Sequence, residues 1–376
     1  MGHTWQQRFL KIGKGHTEAP VALDYSLTVL SWLYFLALKA KQLICAKFFK
    51  KKHLSATVIS VGNITVGGTG KTPFVMMLSK YFKNRRKRVA ILSRGYRRKK
   101  KGGRGQGIEK GIGVVSTGKD VLLTPEEAGD EPYLMARYVS NVPVLVSPNR
   151  VKTGQYAIDN FQSEILVLDD GFSYCPLYRN LDILLIDSTC PFGNHRLLPR
   201  GILREPLSQM KRADVLVLTK TNLISPEEAD LIINQLKKYN PYAVILKCTH
   251  QPLDLINLAT GETVSPSFIK GKEIAALSSI GSPESFEKTL SDLGAKVVKS
   301  IQYPDHHYYT KDDFISILEQ AEYNFIVTTE KDTTRFKKEF WNLEKIARIN
   351  FFSLRIEMKI VKGEAEWLKK LKQLVL

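Results

Sequence analysis

The stretch from Val58 to Lys80 constrains the fold of this chain more than any other part of the sequence. It begins with an apolar, β-branched run typical of a buried parallel strand, passes through a glycine-rich turn and continues into a helix with apolar periodicity. Glycines let backbone N–H groups approach an anion, and the helix dipole favours negative charge at the same place. The stretch therefore predicts a binding site for a nucleotide triphosphate.

The turn carries the residue types that such a site needs. Lys71 adds a full positive charge, and Thr72 offers its hydroxyl to a phosphate-bound Mg²⁺. The pattern G-x-x-x-x-G-K-[ST] is incomplete, because Thr65 stands where its first glycine should be. An ordinary glycine turn before a helix is the alternative. The glycines predicted to surround the phosphates are Gly67, Gly68 and Gly70.

The positive charge of the chain is concentrated in two places. The chain has 376 residues, enough for two domains, and a formal net charge of +19. Residues 1–55 carry nine lysines and arginines against two acids, and residues 85–110 carry twelve against one. The second stretch includes a basic, glycine-rich loop over 97–111, which is either a solvated insertion or a phosphate-capturing loop. Such focused charge indicates an anionic partner: a membrane surface, nucleic acid or a phosphorylated substrate.

Residues 25–38 are uncharged, strongly apolar and flanked by basic residues on both sides. As a helix they would span about 21 Å, which is short for a hydrocarbon core of about 30 Å. Extension through Ala46, with snorkelling lysines, would just cross it. A peripheral membrane anchor lying in one anionic leaflet is the favoured prediction, and a signal peptide and a buried domain helix are the alternatives.

A second nucleotide motif follows the predicted strand over 165–168, which ends in Asp169 and Asp170. A carboxylate at a strand end is typical of the group that holds Mg²⁺ or its water in phosphate-loop proteins. An aspartate that only caps the next turn is the alternative. Further strand and helix patterns continue the α/β alternation to the last helix, predicted over 363–376.

Three other features carry weaker signals. The run Thr219–Asn222 resembles the guanine-reading motif of GTPases, but Asn222 replaces its aspartate. His306 and His307 are adjacent and should project in different directions, so they do not predict a shared metal. The four cysteines have no metal-ligand spacing and are predicted to be buried, unpaired thiols of a reducing compartment: Cys45, Cys175, Cys190 and Cys248.

Taken in order, ten motifs resemble those of the tetraacyldisaccharide 4′-kinase family of lipid A biosynthesis, including the threonine at position 65. They are VGNITVGGTGKTP, LSRGY, GDEP, SPNR, VLDDGF, DILLID, LLPRGILREP, LTKTN, YPDHHYY and TTEKD. The resemblance covers nearly the whole chain. It implies transfer of the ATP γ-phosphate to the 4′-hydroxyl of a tetraacylated glucosamine disaccharide 1-phosphate, with Mg²⁺ as second cofactor, at the cytoplasmic face of the inner membrane of a Gram-negative bacterium.

The resemblance also implies residue roles. Asp130 would be the catalytic base and His306 its partner, while Lys71 would bind the β- and γ-phosphates. The implied nucleotide-binding set adds Thr69, Arg150 and Arg204, and the implied metal ligands are Thr72, Asp169, Asp170 and Glu205. One departure concerns Ser173 and Tyr174, which replace the Gln-His pair usual after DDGF, so no role can be transferred to them. Another is Arg97, where the family commonly has glycine.

The predicted fold class is a phosphate-loop NTPase-type α/β/α sandwich with a second, smaller α/β/α domain. The predicted divisions are a membrane-associated segment over 1–55, a kinase domain over 56–203, a second α/β domain over 204–350, and a strand and helix over 351–376 that return to the kinase domain. The expected partners are the acylated disaccharide lipid and a membrane surface, with no nucleic acid and no obligate protein partner. A GTPase-like or metallochaperone switch and a nucleic-acid-dependent ATPase are the competing hypotheses.

Overall fold

A long mixed β-sheet organises the chain. The structure is a computed structural model that describes residues 11–48, 50–95, 107–109, 111–319, 323–337, 340 and 349–374. The strands are β1 Thr57–Gly62, β2 Val89–Ser93, β3 Ile108–Glu109, β4 Ile112–Ser116, β5 Val144–Val146, β6 Ile165–Asp169, β7 Leu181–Asp187, β8 Val215–Thr219, β9 Val244–Asn257, β10 Thr263–Val264, β11 Glu273–Ser278, β12 Lys296–Gln302, β13 Phe325–Thr329 and β14 Asn350–Lys362.

Helices join most of the parallel strands. They are α1 Val21–Phe48, α2 Lys71–Asn84, α3 Pro125–Ala128, α4 Asp130–Tyr138, α5 Arg150–Phe161, α6 Pro226–Tyr239, α7 Pro283–Asp292, α8 Lys311–Glu319, α9 Glu330–Thr333 and α10 Glu364–Gln373. Short 3₁₀ helices cover Leu207–Arg212, Thr221–Leu223 and Pro266–Ile269.

The sheet order is β12-β11-β13-β14-β9-β8-β7-β1-β6-β2-β5-β4-β3, with β10 beside β9. Strand β1 lies between β6 and β7, and all three run parallel. The strands β2, β5, β8 and β9 extend this parallel arrangement on either side. Because parallel strands end at the same edge of a sheet, the loops after β1, β2, β6 and β8 meet at one edge, where open α/β sheets bind their ligands.

Each strand of the parallel core is apolar on both sides because helices cover both faces. In β1, Ile59 and Val61 pack with Phe74 of α2, whereas Val58 packs on the opposite face. The same alternation occurs in β11, where Ala275 and Ala276 face different clusters. The result is two layers of helices around the sheet, which is the α/β arrangement predicted from the sequence.

The long antiparallel strands β9 and β14 lie side by side in the sheet. They join its first part, the parallel strands on either side of β1, to its second part, the parallel strands β11, β12 and β13. Strand β14 pairs along β9 from Phe352 to Lys362, and β14 also pairs in parallel with β13. After β14 the chain enters α10, whose Trp367 lies 6.1 Å, ring centre to ring centre, from Phe74 of α2. The domain boundaries at 55, 203 and 350 remain a prediction.

Helix α1 is longer than the apolar run that predicted it. It has 28 residues, about 42 Å at 1.5 Å per residue, because Lys39 and Lys41 continue the helix. Residues Val21–Cys45 are long and apolar enough to cross a membrane, by length and composition only. Most of this segment is not buried against the protein. These properties are consistent with membrane association.

The cysteine prediction was wrong for one pair. Cys45 of α1 and Cys175 form a disulfide although 130 residues separate them. Cys248 is a buried free thiol and Cys190 a half-buried one. The pairing depends on the docking of α1 against the loop after β6, a tertiary contact that cysteine spacing does not reveal.

The basic 97–111 loop lies largely outside the described residues. Its described part includes strand β3, which pairs antiparallel with β4 and was not predicted. Arg97 is among the residues not described, so its role stays open.

Candidate functional site

The phosphate loop connects β1 to the first turn of α2. Gly67 and Gly70 have φ angles of 110° and 83°, in the left-handed region that favours glycine. Among the described residues, apart from the adjoining ones, no heavy atom lies within 4 Å of the Cβ positions that side chains would occupy at Gly67 and Gly68, so this backbone is open to a ligand. The Thr219 hydroxyl, at the end of β8, donates a 3.0 Å hydrogen bond to the carbonyl of Thr69. The loop therefore presents backbone N–H groups at a helix N-terminus, as an anion site requires.

Thr65 explains why the loop lacks its first glycine. This residue forms an antiparallel bridge with Leu203 and is not among the residues with positive φ. Its neighbour Val66 donates a 2.8 Å hydrogen bond to the carbonyl of Ile202. An extended residue needs no glycine, so the departure from the sequence pattern has a local structural reason.

Asp169 is the last residue of β6 and is almost fully buried. The hydroxyl of Ser93, at the end of β2, donates a 2.8 Å hydrogen bond to its Oδ2. Its Oδ1 is buried and has no hydrogen-bond partner among the described residues. Burial, followed by the negative charges of Glu131 and Asp170, raises the pKa of Asp169 to about 7. A cation at this position would favour the ionised carboxylate.

The pKa of Asp170 is shifted in the opposite direction to that of Asp169. Burial alone would raise its pKa, but Lys71 and Arg204 outweigh burial and hold the pKa of this carboxyl far below its usual range. Arg204 contacts both carboxylate oxygens, at 3.1 and 2.8 Å, and Lys71 Nζ lies 3.9 Å from Oδ1. Asn63 accepts a 3.2 Å hydrogen bond from Lys71 and also contacts Arg204. Asp170 is therefore ionised and held between two cations.

Glu205 and Arg150 are placed behind this cluster. Both are buried, and neither lines the cavity formed by the described residues. The Glu205 carboxylate accepts hydrogen bonds from Ser173 and, at 2.9 Å, from Arg212. The guanidinium of Arg150 lies 4.9 Å from the ring centre of Tyr174, and burial lowers its pKa. Ser173 and Tyr174 thus support the two residues, although no functional role could be transferred to them from the family.

A carboxylate–imidazole pair forms the other side of the site. Asp130 begins α4, where Gly129 (φ 93°, ψ 149°) breaks the chain between α3 and α4. His306 Nδ1 lies 2.9 Å from Asp130 Oδ2, although 176 residues separate them. Asp130 Oδ1 is buried and has no hydrogen-bond partner in the described part of the chain. The adjacent His307 instead contacts Asp313 at 2.9 Å, so the two histidines point apart as predicted.

Basic residues surround this pair. Lys331 Nζ lies 3.2 Å from His306 Nε2 and 3.3 Å from Glu131, and Arg335 Nε lies 3.5 Å from Asp130 Oδ2. Because a lysine ammonium can only donate, we assign His306 the tautomer that accepts at Nε2 and donates from Nδ1–H to Asp130. This arrangement leaves Oδ1 of Asp130 directed away from the imidazole.

One cavity of about 550 Å³ joins these groups. Its lining includes the phosphate loop from Thr65 to Thr72. It also includes charged or titratable residues of both groups: Asp130, Glu131, Asp169, Asp170, Arg204, His306 and Lys331. The two parts of the sheet both contribute, since His306 follows β12 and Lys331 follows β13. The structure therefore gathers most of the predicted site residues around one space.

Sequence reasoning missed Asn63, Ser93 and Arg335. Asn63 and Ser93 lie at the carboxyl ends of β1 and β2, on either side of β6, a position that could have identified them. Arg335 has a fully buried guanidinium held by Asp332 at 2.8 Å. Nothing in the local sequence distinguishes it from a surface arginine.

Glu330 gives the protein a predicted pH dependence of stability. Burial raises its pKa to about 7, although a contact from the Ile356 N–H, at 3.4 Å, and the charge of Arg355 oppose this. The unfolded chain releases this proton near pH 4.5, whereas the folded chain keeps it up to pH 7. The free energy of unfolding should therefore fall as pH rises through this window, by up to about 3 kcal/mol from this group.

Urea unfolding between pH 4.5 and pH 8 measures this effect. In the Glu330→Gln variant the free energy of unfolding should decrease by about 3 kcal/mol less over this pH range than in the wild type. The Glu262→Gln variant, changed at an exposed glutamate, should show the same decrease as the wild type. Equal pH slopes for wild type and Glu330→Gln would contradict the assignment.

Comparison with known proteins gives one consistent family. The sequence profile of the Tetraacyldisaccharide-1-P 4′-kinase family matches residues 23–375. The tetraacyldisaccharide 4′-kinase of Halothermothrix orenii is 37% identical over 351 residues, which is 89% of this chain and 89% of the relative. That of Syntrophus aciditrophicus is 41% identical over 326 residues, covering 84% of this chain and 83% of the relative.

A solved structure has the same fold. The crystal structure of LpxK from Aquifex aeolicus in complex with ATP has a TM-score of 0.70 and 34% identity to this chain. The match covers 94% of this chain and 99% of that one. It confirms the predicted fold class of a phosphate-loop α/β protein and supports ATP as the bound nucleotide.

Proposed function

Because this chain belongs to the tetraacyldisaccharide-1-P 4′-kinase family, as its motifs predicted, we propose that it phosphorylates the 4′-hydroxyl of a tetraacylated glucosamine disaccharide 1-phosphate. ATP supplies the γ-phosphate, and the product belongs to lipid A biosynthesis. The observation that carries the proposal is the shared cavity, which places a phosphate loop and the Asp130–His306 pair around one space.

Asp130 is the proposed general base. Its Oδ2 faces the imidazole of His306, and its buried Oδ1 is left to accept the proton of the sugar hydroxyl. His306 orients Asp130 through the Nδ1 hydrogen bond, and Lys331 at the other ring nitrogen favours the tautomer that makes this bond. Proton transfer from the hydroxyl to Asp130 creates the nucleophilic oxygen that attacks the γ-phosphorus. The bond from the γ-phosphorus to the β–γ bridging oxygen breaks, and ADP leaves.

Lys71, Arg204 and the loop amides are the proposed phosphate-binding groups. Phosphoryl transfer needs little covalent chemistry from the protein, so positioning and charge stabilisation supply most of the catalysis. Lys71 lies at the start of α2, where its charge adds to the helix dipole. Arg150 is too deeply placed to line the cavity, and we propose a supporting role for it through its charge interaction with Asp170.

The site fits Mg²⁺ as the second cofactor. The buried Oδ1 of Asp169 lacks a partner among the described residues, and Asp170 is an ionised carboxylate beside it. In the described ranges no three His, Cys, Asp or Glu side chains are placed together so that they could hold a metal ion, and Mg²⁺ commonly binds one or two carboxylates together with substrate phosphates. When bound, Mg²⁺ neutralises charge on the transferring phosphate. Thr72, Asp169 and Asp170 would hold it, and Glu205 would contribute only if Ser173 and Arg212 released its oxygens.

We place the protein at the cytoplasmic face of the inner membrane of a Gram-negative bacterium. The exposed apolar surface of α1, the basic residues on either side of it and the acyl chains of the substrate support this location. We also propose the division into segments 1–55, 56–203, 204–350 and 351–376. The packing of Trp367 against Phe74 supports a C-terminal return to the kinase domain.

The direct test is transfer from γ-labelled ATP to the tetraacylated disaccharide 1-phosphate in mixed micelles. Label should appear on the lipid, and an acceptor whose 4′-hydroxyl is replaced by hydrogen should receive none. Equal hydrolysis of ATP and GTP without lipid labelling would favour the GTPase-like switch instead. Hydrolysis stimulated by RNA or DNA at physiological salt would favour the nucleic-acid-dependent ATPase.

A further inference from the structure

Helix α1 has one side that is docked on the protein and one that is exposed. Half-buried or buried residues recur every three or four positions: Asp24, Leu27, Ser31, Tyr34, Leu38, Gln42 and Cys45. The large apolar side chains of the other side are exposed, among them Trp32 at 63% and Leu43 at 64%. This spacing is that of one helix face, so the docked stripe runs along most of α1.

The polar groups of the docked stripe contact one stretch of chain, residues 197–205, which we call the arginine segment. Asp24 accepts two hydrogen bonds from the guanidinium of Arg200, at 2.8 and 2.7 Å. The Ser31 hydroxyl donates to the carbonyl of Leu197 at 2.9 Å and accepts from the N–H of Arg200 at 3.2 Å. The Tyr34 hydroxyl donates a 3.0 Å hydrogen bond to the carbonyl of Arg204.

The other side of the arginine segment contacts the phosphate-binding cluster. The N–H of Arg204 donates a 2.7 Å hydrogen bond to the carbonyl of Ile64, immediately before the phosphate loop. The Arg204 side chain contacts both oxygens of Asp170 and donates at 2.9 Å to the carbonyl of Asn63. Arg204 therefore accepts the Tyr34 hydrogen bond with its main-chain carbonyl and contacts Asp170 with its guanidinium.

We propose that Tyr34, Ser31 and Asp24 are positioning residues, which hold the arginine segment so that Arg204 contacts Asp170. Docking of the apolar helix is thereby coupled to the phosphate-binding cluster. The inference rests on the proposed role of Arg204 and Asp170 in phosphoryl transfer.

The chemistry of the contacts supports positioning rather than simple attachment. Apolar packing, such as that of the buried Leu27, would be enough to attach a helix. The polar contacts are instead directional, and three of them end on main-chain atoms of the arginine segment. Directional bonds to main chain fix the register of the segment, and the position of the Arg204 side chain depends on that register.

A matched pair of tyrosine variants tests the inference in the full chain. Tyr34→Phe removes the hydroxyl that bonds Arg204, whereas Tyr25→Phe removes a hydroxyl from the exposed side of the same helix, where Tyr25 is 71% exposed. Tyr34→Phe should lower kcat for lipid phosphorylation by about 3- to 10-fold, the effect of one hydrogen bond. Its KM for lipid and its binding to anionic lipid vesicles should equal those of wild type. Tyr25→Phe should leave kcat unchanged.

Coupling to Arg204 is the measurement that separates positioning from a general structural role. In an Arg204→Ala background, Tyr34→Phe should change kcat by less than about 2-fold, because no guanidinium remains to be positioned. An undiminished effect of Tyr34→Phe in that background would overturn the inference but not the proposed function. Wild-type kcat in Arg204→Ala itself would overturn the proposed role of Arg204 and the inference with it.

The ion pair provides a second, independent variant. Asp24→Arg and Arg200→Asp should each lower kcat, and the double exchange should restore it at least in part, because the pair is re-formed with reversed charge. If kcat of the double variant does not exceed kcat of either single variant, and the melting temperature is unchanged, the contact between Asp24 and Arg200 does not position the arginine segment.

Discussion

Asp130→Asn should lower phosphate transfer to the lipid by about 10²- to 10⁴-fold, the usual contribution of a general base. Asparagine keeps the size of the side chain and removes the charge that accepts the hydroxyl proton. ATP binding should be retained, because the phosphate-loop amides and Lys71 are unchanged. Steady-state transfer of γ-labelled phosphate measures kcat, and nucleotide binding is measured separately by calorimetry.

Asp312→Asn is a matched control for this variant. Asp312 is also an aspartate in the first turn of a helix, but it is exposed on α8, away from the cavity. Its replacement removes a comparable interaction with a helix dipole and should leave kcat unchanged. His306→Ala should lower kcat as well, and the double variant with Asp130→Asn should be little worse than Asp130→Asn alone, since the two residues act as a unit. Equal transfer by wild type and Asp130→Asn would refute the assignment.

Lys71→Met should lower kcat/KM for ATP by about 10²- to 10³-fold, the range measured for single groups that stabilise transition-state charge. Methionine has a similar length and no charge. In the wild type Lys71 Nζ lies 3.9 Å from Asp170 and 3.2 Å from Asn63, so the ammonium is held where phosphate oxygens would lie. Its loss leaves Arg204 as the basic side chain that directly contacts Asp170.

Lys80→Met tests whether the effect is specific. Lys80 lies on the same helix α2 and is exposed, so this variant makes the same chemical change outside the cavity. Its kcat/KM should equal that of wild type. A Lys71→Met enzyme within about 3-fold of wild type would contradict the proposed role of the loop in phosphate binding.

The phosphate loop could be predicted from local sequence alone. Strand, glycine turn and helix start are contiguous, so the identity and order of residues from Val58 to Lys80 predicted the loop and placed Lys71 and Thr72 in it. The structure added the reason for Thr65, an extended bridge to Leu203. That bridge joins segments 138 positions apart and has no local signature.

The Asp130–His306 pair shows the opposite case. Each residue has an unremarkable local pattern, and only the family resemblance brought the two together. In the structure Asp130 begins α4 beside the parallel core, whereas His306 follows β12 at the far edge of the sheet. Their 2.9 Å contact depends on how the loops from the two parts of the sheet meet over one cavity.

Helix α1 was predictable from local sequence, but its contacts with the rest of the protein were not. Its apolar composition predicted a membrane-associated helix, and the structure extended that helix to Val21–Phe48. Its pairing of Cys45 with Cys175 and its hydrogen bonds to residues 197–205 were not predicted, because they depend on which face docks. Hydropathy identifies an apolar helix but cannot say what its few polar side chains contact.

The sequence by itself determined the α/β class, the nucleotide loop, the strand-end carboxylates Asp169 and Asp170, and the family. Each of these depends on residues close together in the chain, whose periodicity and spacing encode local structure. Only the tertiary structure decided that Asp169 and Asp170 have opposite pKa shifts, because one is buried beside carboxylates and the other lies between Lys71 and Arg204. Electrostatic environments are set by distant parts of the chain, and folding alone brings those parts within reach of one another.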